Sequence, residues 1–247
     1  MKLIDIYNFL DQLSPFNNQQ DWDNSGILLG NNQDKIKTVY LSLDIDENLI
    51  NQAEDNSLFI TNHPLIFKGL KSLANLDYPK AFIKKMIKKN ISLISMHTNF
   101  DLSHLNSYFV EEILDFKIAF KDEFLIYVDQ EFEFFKLCEY LKLKLQIDIL
   151  KISYCGKEKI KRFAICTGSG GDLISKVQAD CFLSGDFKYH QAMQAVSDGL
   201  NLIDIGHFES ERYFFTMSSK RLEKFATKGY NISFKKSISI FLRNIYE

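Results

Sequence analysis

The sequence predicts an α/β fold with mixed or mostly parallel sheets, and three observations support it. Short apolar runs typical of buried strands alternate with helical patterns almost throughout the chain. The length of 247 residues allows one large domain or two small ones, each with its own core. Glycine (11) and proline (3) are few, which argues against a long disordered linker.

The amino-terminal half begins with a predicted helix. Apolar residues from Leu3 to Leu13 recur at helical spacing, and Pro15 ends the pattern. Short apolar runs then predict strands at 38–44, 57–61 and 91–95. Pro79 suits the first turn of a helix with one apolar face, and a further helix is predicted over 105–114.

The second half continues the alternation. Strands are predicted at 124–128, 147–154, 162–166, 181–184 and 201–205. Helices are predicted between the first two of these strands, after the glycine-rich turn at 168–171, from about residue 186, and over 209–224. Two further strands, at 232–234 and 238–242, could close a sheet. This pattern suggests two lobes, an outer one of residues 1–119 plus 196–247 and an inserted one of residues 120–195.

Composition excludes several classes of protein. Thirty basic residues face 32 acidic ones, and this net charge of −2 argues against non-specific nucleic-acid binding. No apolar run approaches the roughly 20 residues of a membrane span, and residues 1–5 lack a signal-peptide core. The four cysteines form no C-x-x-C pair, which argues against a disulfide framework or a zinc knuckle. We therefore expect a cytoplasmic protein with no membrane partner.

Side chains that suit a metal ion follow three of the predicted strands. His63 follows one strand, His97 and Asp101 follow another, and His207 with Glu211 follows a third. Imidazole nitrogen and carboxylate oxygen are ligands for zinc, iron, manganese and similar divalent ions. If these strands lie side by side, the side chains just past their carboxyl ends converge in one crevice. The pattern therefore predicts a divalent-metal site.

Each of these residues also has a simpler interpretation. His207 and Glu211 are four residues apart on a predicted helix and share a face, but a helix-capping histidine with a solvent-exposed glutamate has the same spacing. His63 precedes Pro64, which favours extended backbone, and a histidine at a strand end is often structural. Asp101 could cap the helix that follows it.

Three further features carry weaker signals. Residues 168–171 (GSGG) could cradle a phosphate at a helix start or simply form a tight turn, and they lack the P-loop lysine. Asp186 and His190 could act as general acid or base, or cap a helix. His97 could bind metal or orient a neighbour by hydrogen bonding. No G-x-S-x-G elbow is present, so covalent nucleophilic catalysis lacks support.

Six short segments together carry a family resemblance. They are WDNSG (22–26), TNHPLIF (61–67), HTNFD (97–101), GSGG (168–171), SGDFKYH (184–190) and GHFESE (206–211). In this order they resemble the GTP cyclohydrolase 1 type 2 homolog family, also called the NIF-three-like or YbgI-like family. The resemblance runs nearly end to end, and the length matches the short form without the extra inserted domain.

The resemblance implies two interlocked α/β lobes with mixed sheets, a dinuclear metal site between them and a ring-shaped homohexamer. By motif, His63 and Asp101 would hold one ion, His207 would hold the other and Glu211 would bridge. The family motif usually has two consecutive histidines before the proline, and Asn62 replaces the first one. An amide oxygen is a poorer ligand for zinc or iron than imidazole, so we expect one or two ions with Asn62 as a weak ligand.

In functional terms, the resemblance implies a metal-dependent hydrolase that acts on a nucleotide-like or other small substrate through ion-activated water. His97, Asp186 and His190 would then support the ligands or move protons. The alternative is a ring-shaped scaffold or metal-handling protein without turnover, which the replacement at Asn62 favours.

Overall fold

The structure is a computed structural model that describes residues 1–226 and 233–236. It has the predicted mixed α/β architecture and divides into two compact units. Unit 1 comprises Met1–Phe100 and the described residues from Phe214 onward, and unit 2 comprises Asp101–Tyr213. The strand predicted at 238–242 lies outside the described residues.

The helices and strands are as follows. The α-helices are α1 (Leu3–Leu13), α2 (Glu47–Gln52), α3 (Lys80–Lys88), α4 (Thr98–Phe100), α5 (Asn106–Tyr108), α6 (Phe134–Leu145), α7 (Tyr189–Ser197), α8 (His207–Glu211) and α9 (Phe214–Ala226). The strands are β1 (Gly26–Leu29), β2 (Thr38–Ser42), β3 (Ser57–Thr61), β4 (Ser92–Ser95), β5 (Phe120–Asp122), β6 (Leu125–Glu133), β7 (Lys151–Ser153), β8 (Lys159–Ser169), β9 (Cys181–Gly185), β10 (Asn201–Asp204) and β11 (Ser233–Lys236). Single 3-10 turns are formed by Phe16–Asn18 and Gly171–Lys176, and π-helical turns by Asp101–Leu105 and Phe109–Ile113.

Unit 1 contains a five-stranded sheet in the order β1-β4-β3-β2-β11. Strands β4, β3, β2 and β11 are parallel to one another, and β1 pairs antiparallel with β4. Every residue of β2, β3 and β4 is buried, as expected of parallel strands covered on both faces. The core of one face joins Phe59 and Leu93 of the sheet to Ile83 and Met86 of α3.

Unit 2 contains a six-stranded sheet in the order β5-β6-β8-β9-β10-β7. The central strands β8, β9 and β10 are parallel, whereas β6 pairs antiparallel with β8 and β7 with β10. Helix α6 buries Leu137 and Leu141 in the same core as Phe163 and Ile165 of β8. The parallel centre directs the carboxyl ends of β9 and β10 to one edge, and Asp186 and His207 follow these two strands in the chain.

The unit boundaries differ from the expected ones at 119/120 and 195/196, for physical reasons. Strand β10 pairs with β9 on one side and β7 on the other, which ties the chain around it to the sheet of unit 2. At the other boundary, Phe109, Val110 and Leu114 pack into the core of unit 2. His207 and Glu211 therefore belong to the smaller unit, whereas the prediction assigned them to the outer lobe.

Two predicted helices also differ in detail. The helix expected over 209–224 is two helices, α8 and α9, and the chain between them turns at Arg212 and Tyr213. The helix expected over 105–114 is a mixture of π-helical turns and the short α5. Among the described residues, no helix combines the length and the apolar character needed to cross a membrane.

Candidate metal centre

In unit 1, two of the predicted site histidines lie at the ends of neighbouring parallel strands. The register pairs Thr61 of β3 with Ser95 of β4, so His63 and His97 each stand two residues beyond a paired position. Their rings are 5.6 Å apart between centroids and meet edge to face. The expected convergence of side chains past the carboxyl ends of adjacent strands is therefore observed for this pair.

Each of these histidines is held by an aspartate that sequence reasoning missed. His63 Nδ1 lies 2.8 Å from Asp44 Oδ1, and His97 Nδ1 lies 2.8 Å from Asp23 Oδ1. An ionised carboxylate only accepts hydrogen bonds, so Nδ1 carries the proton and Nε2 is the nitrogen able to coordinate an ion. A signal for Asp44 existed, because it stands two residues past β2 as His63 does past β3.

Asp23 is the most tightly held of these carboxylates. Its side chain is fully buried and accepts hydrogen bonds from His97, from the backbone and hydroxyl of Thr98, and from the backbone of Asn24 and the hydroxyl of Ser25. Burial disfavours the charged carboxylate, but the hydrogen bonds and the charge of His97 outweigh it. The pKa of Asp23 therefore lies well below its usual range.

In unit 2, His207 and Glu211 form the pair predicted on one helix face. His207 Nε2 lies 3.1 Å from Glu211 Oε2 across one turn of α8. The interpretation of Glu211 as solvent-exposed is wrong, since its side chain is only 3 % exposed. A nearly buried carboxylate is costly unless positive charge or hydrogen bonds compensate it, so this position favours a cation.

Asp186 supports His207 as Asp44 supports His63. Asp186 follows β9 with a left-handed backbone (φ 58°), and its Oδ2 lies 2.6 Å from His207 Nδ1. Nε2 of His207 is consequently the ring nitrogen that faces Glu211. His190, the other residue of this motif, is exposed on α7 next to Tyr189, with ring centroids 5.4 Å apart.

The backbone conformation and close packing at position 168, near the end of β8, require glycine. Its backbone is left-handed (φ 68°), and a Cβ built there would overlap Oε1 of Glu211. Its N–H donates to Ser210 Oγ at 3.0 Å, which fixes the strand end against α8. This close approach supports the tight-turn interpretation of GSGG, because a phosphate beside Glu211 would be repelled.

The carboxylates of Asp101 and Glu211 both lie close enough to the Cys166 thiol to influence its pKa. Burial raises the pKa of Cys166, and the negative charges of Asp101 and Glu211 raise it further. Asp101 is itself buried in the first π-helical turn of unit 2. Two buried carboxylates in one region create a negative potential that attracts cations.

Predicted ligands in each unit offer donor atoms that suit a metal ion. In unit 2, Nε2 of His207 and Oε2 of Glu211 lie 3.1 Å apart. In unit 1, His63 offers Nε2, because its Nδ1 is bonded to Asp44. Asn62 is fully buried, and its Nδ2 donates to the Met96 carbonyl at 3.4 Å. Imidazole and carboxylate donors suit zinc, iron or manganese, so His207 and Glu211 fit the predicted cofactor.

Comparison with known proteins agrees with the resemblance seen in the sequence. A sequence model of Duf34/NIF3 (NGG1p interacting factor 3) matches residues 1–239. A protein of Campylobacter jejuni named GTP cyclohydrolase 1 type 2 homolog is 70 % identical over 223 residues, covering 90 % of this chain and 92 % of its own. A Helicobacter pylori (strain J99) protein named GTP cyclohydrolase 1 type 2 is 40 % identical over 225 residues, covering 90 % of this chain and 91 % of its own.

Solved structures share the fold. The Staphylococcus aureus hypothetical protein SA1388 superposes with a TM-score of 0.84 at 26 % identity, covering 100 % of this chain and 99 % of its own. Reduced HcgD from Methanocaldococcus jannaschii superposes with a TM-score of 0.76 at 23 % identity, covering 96 % of this chain and 97 % of its own. The second likeness, at that identity, concerns the fold alone.

Proposed function

The chain belongs to the Duf34/NIF3 family, and we propose that it is a divalent-metal-dependent hydrolase acting on a nucleotide-like or other small substrate. The observation that carries this proposal is the nearly buried Glu211, whose Oε2 lies 3.1 Å from Nε2 of His207. Such a carboxylate needs compensating positive charge, and the imidazole of His207 beside it is a suitable co-ligand.

Each residue has a role in this proposal. His63 and His207 would each offer Nε2 to a bound ion, because Asp44 and Asp186 hold the Nδ1 protons. Glu211 supplies the negative charge, and Asp101 adds a second carboxylate. When bound, a divalent ion lowers the pKa of coordinated water towards neutrality and stabilises developing negative charge.

Proton movement falls to the residues that connect the site to water. Asp186 is exposed and hydrogen-bonded to His207, so its Oδ2 can exchange protons with solvent at that edge. The name GTP cyclohydrolase 1 type 2 carried by the Helicobacter pylori relative supports a nucleotide-like substrate. His190 remains a candidate proton carrier through its place in the same motif.

Replacement of the first family histidine by Asn62 supports one tightly bound ion per subunit, with any second ion weak. The amide nitrogen of Asn62 is committed to the Met96 carbonyl. We further propose the homohexamer and the cytoplasmic location that the family resemblance and the composition predict. Light scattering on the purified protein tests the hexamer.

The test is metal content followed by turnover. We expect elemental analysis of protein purified without added metal to give about one ion per subunit, and Glu211→Gln to lose most of it. Glu112→Gln is the matched control, since Glu112 is an exposed glutamate of the same unit. Equal metal content in wild type and Glu211→Gln would overturn the assignment.

Turnover separates the hydrolase from the metal-handling alternative. We expect the metal-loaded wild type to hydrolyse at least one member of a nucleotide panel and Glu211→Gln to be inactive. Metal bound at the assigned site without turnover of any panel member would favour the scaffold or metal-handling role.

A further inference from the structure

Two large aromatic side chains of unit 1 are exposed beside the histidine pair. Trp22, the only tryptophan of the chain, is 59 % exposed, and Phe67 is 43 % exposed. Their ring centroids are 5.8 Å apart and the rings are tilted by 45°. Adjoining exposed aromatic rings are costly in water and commonly mark a binding surface.

The backbone under these rings is held firmly. Asn24 Nδ2 donates to the Ile66 carbonyl at 2.5 Å, which joins the loop carrying Trp22 to the segment carrying Phe67. Asp23, next to Trp22, is buried and bonded to His97 and Thr98. The exposure of the two rings is therefore built into an ordered loop and does not result from a loose one.

The aromatic pair adjoins His97, whose ring neighbours that of the proposed metal ligand His63. Trp22 and Phe67 lie 6.1 and 6.4 Å from the His97 ring, both nearly perpendicular to it. His97 in turn lies 5.6 Å from the His63 ring. A planar group resting on Trp22 and Phe67 would lie beside His97, whose ring neighbours that of His63.

We propose that Trp22 and Phe67 form a stacking platform for the planar heterocycle of the substrate, a purine-like base. The inference rests on the proposed function, whose substrate class it narrows. Stacking on an aromatic side chain needs no hydrogen-bond code and contributes roughly 5- to 150-fold in affinity per base. In this arrangement His97 positions the platform beside His63 through its bond to Asp23.

Intrinsic fluorescence tests the platform directly, because Trp22 is the only tryptophan. We expect guanosine and GTP to change the emission saturably, both with bound metal and after chelation with EDTA. Ribose 5-phosphate, which has no base, should leave the emission unchanged. Emission that responds to none of these probes, or equally to ribose 5-phosphate, overturns the platform.

Substitutions with equilibrium dialysis of radiolabelled guanosine give the second measurement. We expect Trp22→Ala and Phe67→Ala to weaken binding roughly 5- to 150-fold, and Trp22→Phe to retain most of it. Phe135→Ala is the control, since Phe135 is an exposed aromatic residue of unit 2. Binding by Trp22→Ala within about twofold of wild type contradicts the platform.

Two further readouts separate the competing explanations. Metal content should be unchanged in Trp22→Ala. The test of the platform is therefore independent of the test of the metal site by Glu211→Gln. If Trp22→Ala changes the assembled mass in light scattering while guanosine affinity is unchanged, the rings form a contact between copies of the chain and the proposal is wrong.

Discussion

Replacing Gly168 by alanine should damage the site through a single atom. An alanine at φ 68° costs about 1–2 kcal/mol in backbone strain. Its Cβ would also overlap Glu211 Oε1, and relief of such overpacking typically costs about 1–3 kcal/mol. We therefore expect Gly168→Ala to lower the free energy of unfolding by about 2–5 kcal/mol. Because the carboxylate must move, metal affinity should fall at least about tenfold.

Gly199→Ala is the matched control for this substitution. Gly199 has nearly the same left-handed backbone (φ 75°), but nothing lies within 4 Å of a Cβ built there. It should show the strain alone, with about 1–2 kcal/mol lost and metal content unchanged. Urea denaturation and elemental analysis measure the two effects. If the two alanine variants match in both measurements, the close approach of Gly168 to Glu211 has no role in the site.

Two more predictions concern the aspartates beside the histidines. Asp44→Asn and Asp186→Asn should each weaken metal binding about 10- to 100-fold in a competition titration. Asp198→Asn is the control, because Asp198 is exposed, and it should leave metal affinity unchanged. If Asp44→Asn and Asp186→Asn both keep the wild-type metal affinity, the two aspartates do not support the ligands. Asp23→Asn should cost about 2 kcal/mol at pH 7 with metal content retained. The pKa of Asp23 is lower in the folded protein than in the unfolded chain, where it is about 4. Ionised Asp23 therefore stabilises the fold above about pH 4, and this contribution declines as the pH falls further. Urea titrations should show the free energies of unfolding of wild type and Asp23→Asn converging in acid. A constant difference from pH 7 to pH 3 would contradict this account.

The elements easiest to predict were those whose signal is local. The strand predicted at 57–61 has those bounds in the structure, since a fully buried parallel strand is a continuous apolar run between polar residues. The His207–Glu211 pair follows from the helical repeat alone. By contrast, β5 is short and exposed, and it was not predicted because it carries no apolar pattern.

Contacts between distant positions could not be predicted in this way. Asp23 and His97 are 74 residues apart, and Asp44 and His63 are 19 apart, so no local period links them. The role of Gly168 likewise depends on Glu211 of a later helix. The predicted lobe boundaries rest on local patterns alone, whereas the pairing of β10 with β7 and β9 places the later segment in unit 2.

The three histidine–aspartate pairs differ in a way that distinguishes ligands from support. The side chains of Asp44 and Asp186 are 39 % and 59 % exposed. Each aspartate can therefore orient its histidine partner without disturbing a buried core. Asp23 has no exposed side-chain surface and bonds several groups of two loops, which makes it an anchor of the backbone. Loss of Asp23 should therefore appear first as lost stability, and loss of Asp44 or Asp186 as lost metal. This contrast supports the proposal that His63 and His207 are metal ligands, whereas His97 positions the aromatic surface of unit 1.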